Sequence, residues 1–204
     1  MIKRLITIFG IIVVLAALYV GAYLPYRKSQ LGILALYQIR QAKSVAEIED
    51  RTNIALNYFS PIGQEEITSF ITDTLTVIIS RLDKTSAVQV APQLADYLET
   101  INESIIKKEK GFNFTKALYA LGKMNYFVWI QTNNTDFAAK SENYYQKCLK
   151  ESPRRVECLY GLFELYGKQK NRSNNTIKVG EEILFYWPTD TEVIKIVNEL
   201  KNKF

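Results

Sequence analysis

Two prolines 35 residues apart, Pro153 and Pro188, close stretches with a similar lead-in: Tyr144, Tyr145, Cys148 and Leu149 before the first, Gly180, Ile183 and Leu184 before the second. Self-similarity at such a period marks supersecondary units that cannot bury an apolar face alone and therefore stack. A chain built this way folds as successive helical hairpins, and its work is that of an extended surface rather than a single catalytic core. The question becomes which partner it meets.

A second feature fixes the setting. Residues 5–24 form an uncharged apolar run of twenty residues, which at about 1.5 Å per residue spans roughly 30 Å as a helix, the thickness of a bilayer core. Tyr19 and Tyr23 fall near one end, where amphipathic rings favour the interface, and Pro25, Arg27 and Lys28 are expected to end the segment in a basic flank. The run reads as a membrane anchor. A cleaved secretory signal is the alternative, with Lys3 and Arg4 as its basic start and Val20-Gly21-Ala22 as the cleavage site, although such apolar regions usually run about 7 to 15 residues. A buried helix of a soluble core is a third reading. Charge does not orient the span: Met1's amine, Lys3 and Arg4 precede it, and Arg27, Lys28, Arg40 and Lys43 follow it. A very short tail ahead of a long domain is the usual form of an uncleaved signal anchor, which would put the domain outside the cytoplasm.

Composition removes much chemistry. The chain has no histidine and two cysteines, so imidazole acid-base catalysis, His metal sites and Ser-His-Asp triads are impossible within it, and no metal or cofactor site is expected. Lys and Arg exceed Asp and Glu by 26 to 21, with Lys3 and Arg4 ahead of the run, an excess too mild to predict nucleic-acid binding. The chain is expected not to be an enzyme.

Beyond Pro25 apolar residues recur at three and four, and no stretch sustains strand-like alternation, which predicts nine helices joined by short turns. The first carries Leu31, Leu34, Ala35, Tyr37 and Ile39; Ser44 with Glu47 forms a capping box for the next, Val45 to Phe59. After the Ser60-Pro61-Ile62-Gly63 turn come Glu65 to Leu82, then Pro92 to Lys108 with Pro92 in the first turn and Lys107 to Gly111 closing the end. The remainder are Thr115 to Thr132, Phe137 to Lys150, Arg154 to Lys168, Ser173 to Phe185, and a terminal helix capped by Thr189 or Asp190.

Within residues 141–153 the spacing resembles the second helix of a tetratricopeptide (TPR) repeat: Ser141 at the small position, Tyr145 at the aromatic one, Cys148-Leu149 for Ala-Leu, and Pro153 in the turn. Leu159, Leu162, Phe163 and Tyr166 resemble the first helix of the next repeat, and Ala55-Leu56 with Pro61 is an earlier echo. Departures are plain: Phe163 stands where Gly or Ala is usual, Gly180 replaces an aromatic, and the helix at Thr115 is about two turns too long. The implied fold is all-α, an N-terminal transmembrane helix followed by antiparallel hairpins stacked as a TPR-like α-solenoid. Its divisions are an anchor over residues 1–25, a helical region with a degenerate repeat over 26–112, and TPR-like repeats with a C-terminal capping helix over 113–204. A span, helices, the Ser-Pro-Ile-Gly-Gln-Glu-Glu-Ile turn and degenerate repeats also resemble the C-terminal part of bacterial O-antigen ligase or polymerase family membrane proteins. That resemblance implies an accessory module in cell-surface polysaccharide assembly and carries over no catalytic residue.

Stacks of this kind bind partners on a concave face lined by the first helix of each repeat. On this phase the face shows Lys116, Tyr119, Lys123, Tyr126, Glu157, Tyr160, Glu164 and Lys168, the mixture of aromatics and charges a peptide groove offers. The competing reading packs those aromatics between helices. The expected function is a membrane-anchored scaffold or adaptor that recruits another protein or peptide at the membrane surface. Cys148 and Cys158 lie five residues either side of Pro153; the reading favours small buried thiols, with pairing as the alternative in an oxidising compartment. Lys168, Lys170, Arg172 and Lys178 read as a solvated loop cluster, and Asn102, Asn113, Asn133, Asn171 and Asn174 each begin an Asn-x-Ser/Thr triplet that matters only in a glycosylating host.

Overall fold

The computed structural model describes residues 2–202; the Met1 amine counted above and residues 203–204 lie outside the described residues. Every regular element among the described residues is helical, in the order α1 (Ile2–Leu18), a π-helical turn (Tyr19–Tyr23), α2 (Leu24–Ile39), α3 (Val45–Asn57), α4 (Gln64–Arg81), α5 (Lys84–Ile106), α6 (Phe112–Thr132), α7 (Thr135–Glu151), α8 (Val156–Lys168), α9 (Ser173–Tyr186) and α10 (Thr191–Lys201). The chain divides into two compact units, Met1–Thr74 and Leu75–Phe204.

The helix that carries the apolar run does not end at Pro25. Helix is continuous over Lys3–Ile39, 37 residues, long and apolar enough to cross a membrane. Side chains from Lys3 to Tyr23 are all exposed, so the run is not a buried core helix. Proline survives here because the wide turn ahead of it changes the pairing: the Leu24 N–H bonds to Tyr19 O, five residues back, and Pro25 takes the start of α2, where no N–H is needed. The same turn stacks the Tyr19 and Tyr23 rings, centroids 5.3 Å apart.

In the first unit α2 packs on α3. Lys28 is the one charged side chain buried among the described residues, 2 % exposed. Its Nζ donates to Tyr58 O at 2.7 Å, to Leu56 O at 3.4 Å and to Gln64 Oε1. These carbonyls belong to the C-terminal end of α3, which carries partial negative charge and has no intrahelical donors left. Lys28 therefore substitutes a cation for the missing helix partners, and all its acceptors are neutral. Arg51 does the same for α2, donating to Gln38 O at 2.6 Å. The Ser44 cap forms as expected, its Oγ accepting from Glu47 N at 3.2 Å, while the Glu47 carboxylate reaches back to Lys43 N at 2.7 Å.

The second unit begins in the second half of α4 and runs through α10. Pro92 is not at a helix start: α5 begins eight residues earlier under an Asp83 cap, and Pro92 lies inside it. Proline has no N–H for the carbonyl of Val88, but Val88 is 63 % exposed, so water can serve that group. The loop that follows turns on two left-handed residues, Glu109 (φ 56°) and Gly111 (φ 94°), and Gly111 caps the start of α6 rather than closing α5. Asp190, not Thr189, caps α10 by accepting from Glu192 and Val193 N–H.

Each of α6 to α9 touches the next, and α6 also touches α8. Small residues decide how closely. Tyr145 of α7 is buried, with Gly122 of α6 and Gly161 of α8 on its ring; a Cβ built on either would lie 2.7 Å or 2.4 Å from ring carbons. Phe163 and Gly180, both departures from the repeat pattern, answer each other: a Cβ on Gly180 would come within 2.9 Å of the Phe163 ring and 2.4 Å of Val197. The volume missing from α9 is supplied by α8.

The cysteines are paired, not free thiols. Cys148 of α7 and Cys158 of α8 form a disulfide with Cα atoms 6.5 Å apart, both fully buried. The ten-residue separation across the Pro153 turn brings the two antiparallel ends within bridging distance, which spacing alone left open.

Candidate functional site

The face assigned to α6 and α8 is partly assembled. On α6, Tyr119 is half-buried with its ring centroid 6.3 Å from that of Tyr145, and the Lys123 ammonium lies 5.9 Å over the Tyr119 ring. Tyr126, two turns along, is buried and meets Phe127 and Trp129 edge-on at 5.4 Å and 6.0 Å. Glu164 of α8 is exposed yet close enough that its charge helps to raise the pKa of both Tyr126 and Tyr145, after burial itself. Around the buried Tyr145 ring, Tyr119 packs against it and carries Lys123 over its own ring, while Tyr126 and the exposed Glu164 lie near enough to act on its ionisation.

The other predicted residues lie elsewhere. Tyr160 donates its hydroxyl to the Asp190 carboxylate and sets its ring 6.4 Å from Trp187, so it belongs to the junction of α8 with the α9–α10 turn. Glu157 is exposed in the first turn of α8, 3.5 Å from the Arg155 guanidinium. Lys116 is half-buried near the start of α6, and Lys168 is exposed in the last turn of α8. Tyr145 lies in the core, where its repeat position placed it; what sequence reasoning did not pair with it are Gly122 and Gly161, small residues on the two helices that flank its ring.

Two polar nodes hold the face in shape. Glu99 of α5 accepts from Lys140 Nζ at 3.0 Å and Asn125 Nδ2 at 3.4 Å, and its charge, behind burial, helps push the Tyr144 hydroxyl up to about 12. Glu142 of α7 accepts from Tyr166 Oη at 2.8 Å and from Arg172 Nη2 at 3.3 Å, and the same guanidinium lies 5.5 Å over the Tyr166 ring. Arg172, read from sequence as part of a solvated basic cluster, is half-buried in this node.

These tyrosines make the second unit sensitive to alkali. Tyr126, Tyr144, Tyr145, Tyr160 and Tyr166 are all raised above the usual value of 10, first by burial; Tyr160 reaches about 12, with the Asp190 hydrogen bond adding to it. Their folded values lie above the unfolded one, so the native state binds more protons between them. The stability they contribute is complete below about pH 10 and is lost as pH rises through the folded values. Absorbance at 295 nm should show these five ionising later than exposed tyrosine, in step with unfolding. A single ionisation wave near pH 10 that precedes any loss of helicity would disprove this.

No group of three or more His, Cys, Asp or Glu among the described residues is placed to hold a metal. Exposed or half-buried on α6 and α8 are the Tyr119 ring and charges of both signs, Lys123, Glu157, Glu164 and Lys168. Comparison with protein families, with curated proteins and with solved structures finds no match.

Proposed function

We propose that this chain is a membrane-anchored, TPR-like adaptor that holds a segment of another protein on the α6–α8 face, outside the cytoplasm. The observation that carries the reading is the accessible set of Tyr119 with Lys123 over its ring on α6 and Glu164 on the adjoining α8, backed by the buried Tyr145. Rigid aromatic side chains give contact area at low entropic cost, and flanking charges of both signs set orientation. Contacts of α6 with both α7 and α8 support hairpins stacked as successive repeats. The exposed apolar helix supports the anchor, and the buried disulfide supports an oxidising compartment, since cytosolic thiols are kept reduced.

Site-specific photocrosslinking tests this. With a photoreactive side chain at position 164 of the full chain in its own membranes, one discrete protein adduct is expected, absent from a control at exposed Lys195 of α10. Lys123→Glu should reduce that adduct about tenfold, the loss of one central charged contact. An adduct of equal yield from both positions, or one indifferent to Lys123→Glu, removes the face from the proposal.

A further inference from the structure

The first unit contains a groove that the α6–α8 face does not involve. It has a volume of about 480 Å³, within the range of about 300–1,000 Å³ that small ligands occupy. Pro25, Ile33 and Leu36 of α2 form one wall; Ile62 of the α3–α4 loop with Ile67 and Phe70 of α4 forms the other. Gly32 sets the depth, because an added Cβ would stand 3.0 Å from Ile67 side-chain carbons. Three rim residues are strongly exposed although apolar: Ile33 at 67 %, Ile62 at 63 % and Phe70 at 57 %. An apolar rim open to water is a cost that an occupant removes.

Position says which occupant. The groove starts at Pro25, the first residue beyond the apolar run, and α2 continues the same helix, so Ile33 lies about 12 Å and Leu36 about 17 Å further along it. Polar headgroup layers extend about 5 to 7 Å beyond each side of the hydrocarbon core. The groove therefore opens within the headgroup layer and leads away from it, apolar along its length. The exposed Ser29 hydroxyl and Glu66 carboxylate are its polar lining groups. The hydroxyl suits an ester carbonyl, and the carboxylate attracts an ammonium and repels an anionic headgroup.

We infer that this groove binds one acyl chain of a zwitterionic, ammonium-bearing phospholipid drawn from the bilayer beside the span. The inference rests on the reading of residues 5–24 as a membrane span. A lipid held there would brace the first unit on the membrane surface.

The test uses the full chain in nanodiscs of phosphatidylcholine and phosphatidylethanolamine, with a trace of phosphatidylethanolamine carrying a diazirine on one acyl chain. After irradiation and digestion, adducts are expected on residues 29–36 and 62–70 as well as on 5–24. Ile33→Asp combined with Ile62→Asp, both at exposed positions, should reduce the groove adducts at least fivefold and leave those on 5–24 unchanged. An equally labelled diazirine phosphatidylglycerol would overturn the headgroup assignment. Adducts confined to 5–24, groove adducts indifferent to the double variant, or chain-to-chain crosslinks through position 33 would overturn the lipid site while the span stands. Absence of adducts on 5–24 together with release by alkali would sink the span reading itself, and the site with it.

Discussion

Replacing Tyr145 by alanine is expected to destabilise the second unit by about 4 kcal/mol, the usual cost of emptying a buried aromatic site. The ring is 2 % exposed and closes the space that Gly122 and Gly161 leave open, so two helices face the cavity at once. The converse change is also damaging. Gly161→Ala puts a methyl 2.4 Å from the Tyr145 Cζ, and a ring enclosed on both faces has nowhere to move. Overpacking should outweigh the helix propensity gained, for a net loss of about 2 kcal/mol. Gly167→Ala, six residues on in the same helix, meets its nearest atom at 3.9 Å and should be neutral or slightly stabilising. Both tryptophans, Trp129 and Trp187, lie in the second unit, so denaturant unfolding of the solubilised chain followed by their fluorescence reports on it. In a double-mutant cycle, Tyr145→Leu should cost less in the Gly161→Ala background than alone. Strict additivity would show that the two side chains do not share the space.

Removing the Cys148–Cys158 bridge, by Cys148→Ala with Cys158→Ala, is expected to cost about 2.5 kcal/mol, the loop-closure figure for a ten-residue separation. The bridge ties the end of α7 to the start of α8, and both sulfurs are fully buried, so no other contact there closes that hairpin covalently. Reductant added during unfolding should lower the wild-type midpoint to that of the double variant and leave the variant unmoved. Protein denatured without reductant should bind no thiol reagent when the domain has been exported, and two equivalents when it has been held in the cytosol. Two reactive thiols on the exported protein would refute both the bridge and the compartment it supports.

Local signals were the part of this fold readable from sequence. Ser44 with Glu47, and Asp190, mark helix starts because a short polar side chain needs only its own next turn to bond with. The failures came where a distant group compensates for a local cost. Pro25 is tolerated because a π turn precedes it, and Pro92 because Val88 faces solvent. Neither condition is visible in a proline read with its immediate neighbours. The candidate face divided for the same reason: Tyr119, Tyr126 and Tyr160 share a helical phase, but Asp190 and Trp187, thirty and twenty-seven residues on, draw Tyr160 to the α9–α10 turn. Lys28, read as flanking charge, is buried because the carbonyls that hold it come from another helix.

Phe163 and Gly180 were first met as two separate departures from a repeat pattern. In contact they form a single large-small exchange across α8 and α9. Neither position can change size alone: a small residue at 163 leaves a void, and a large one at 180 meets Val197. Any substitution path that exchanges the large and small residue must therefore change both together, or pass through a poorly packed intermediate. Among descendants of this chain the two positions should vary as one heritable unit, so kinship is better sought in their summed volume than in the identity of either residue.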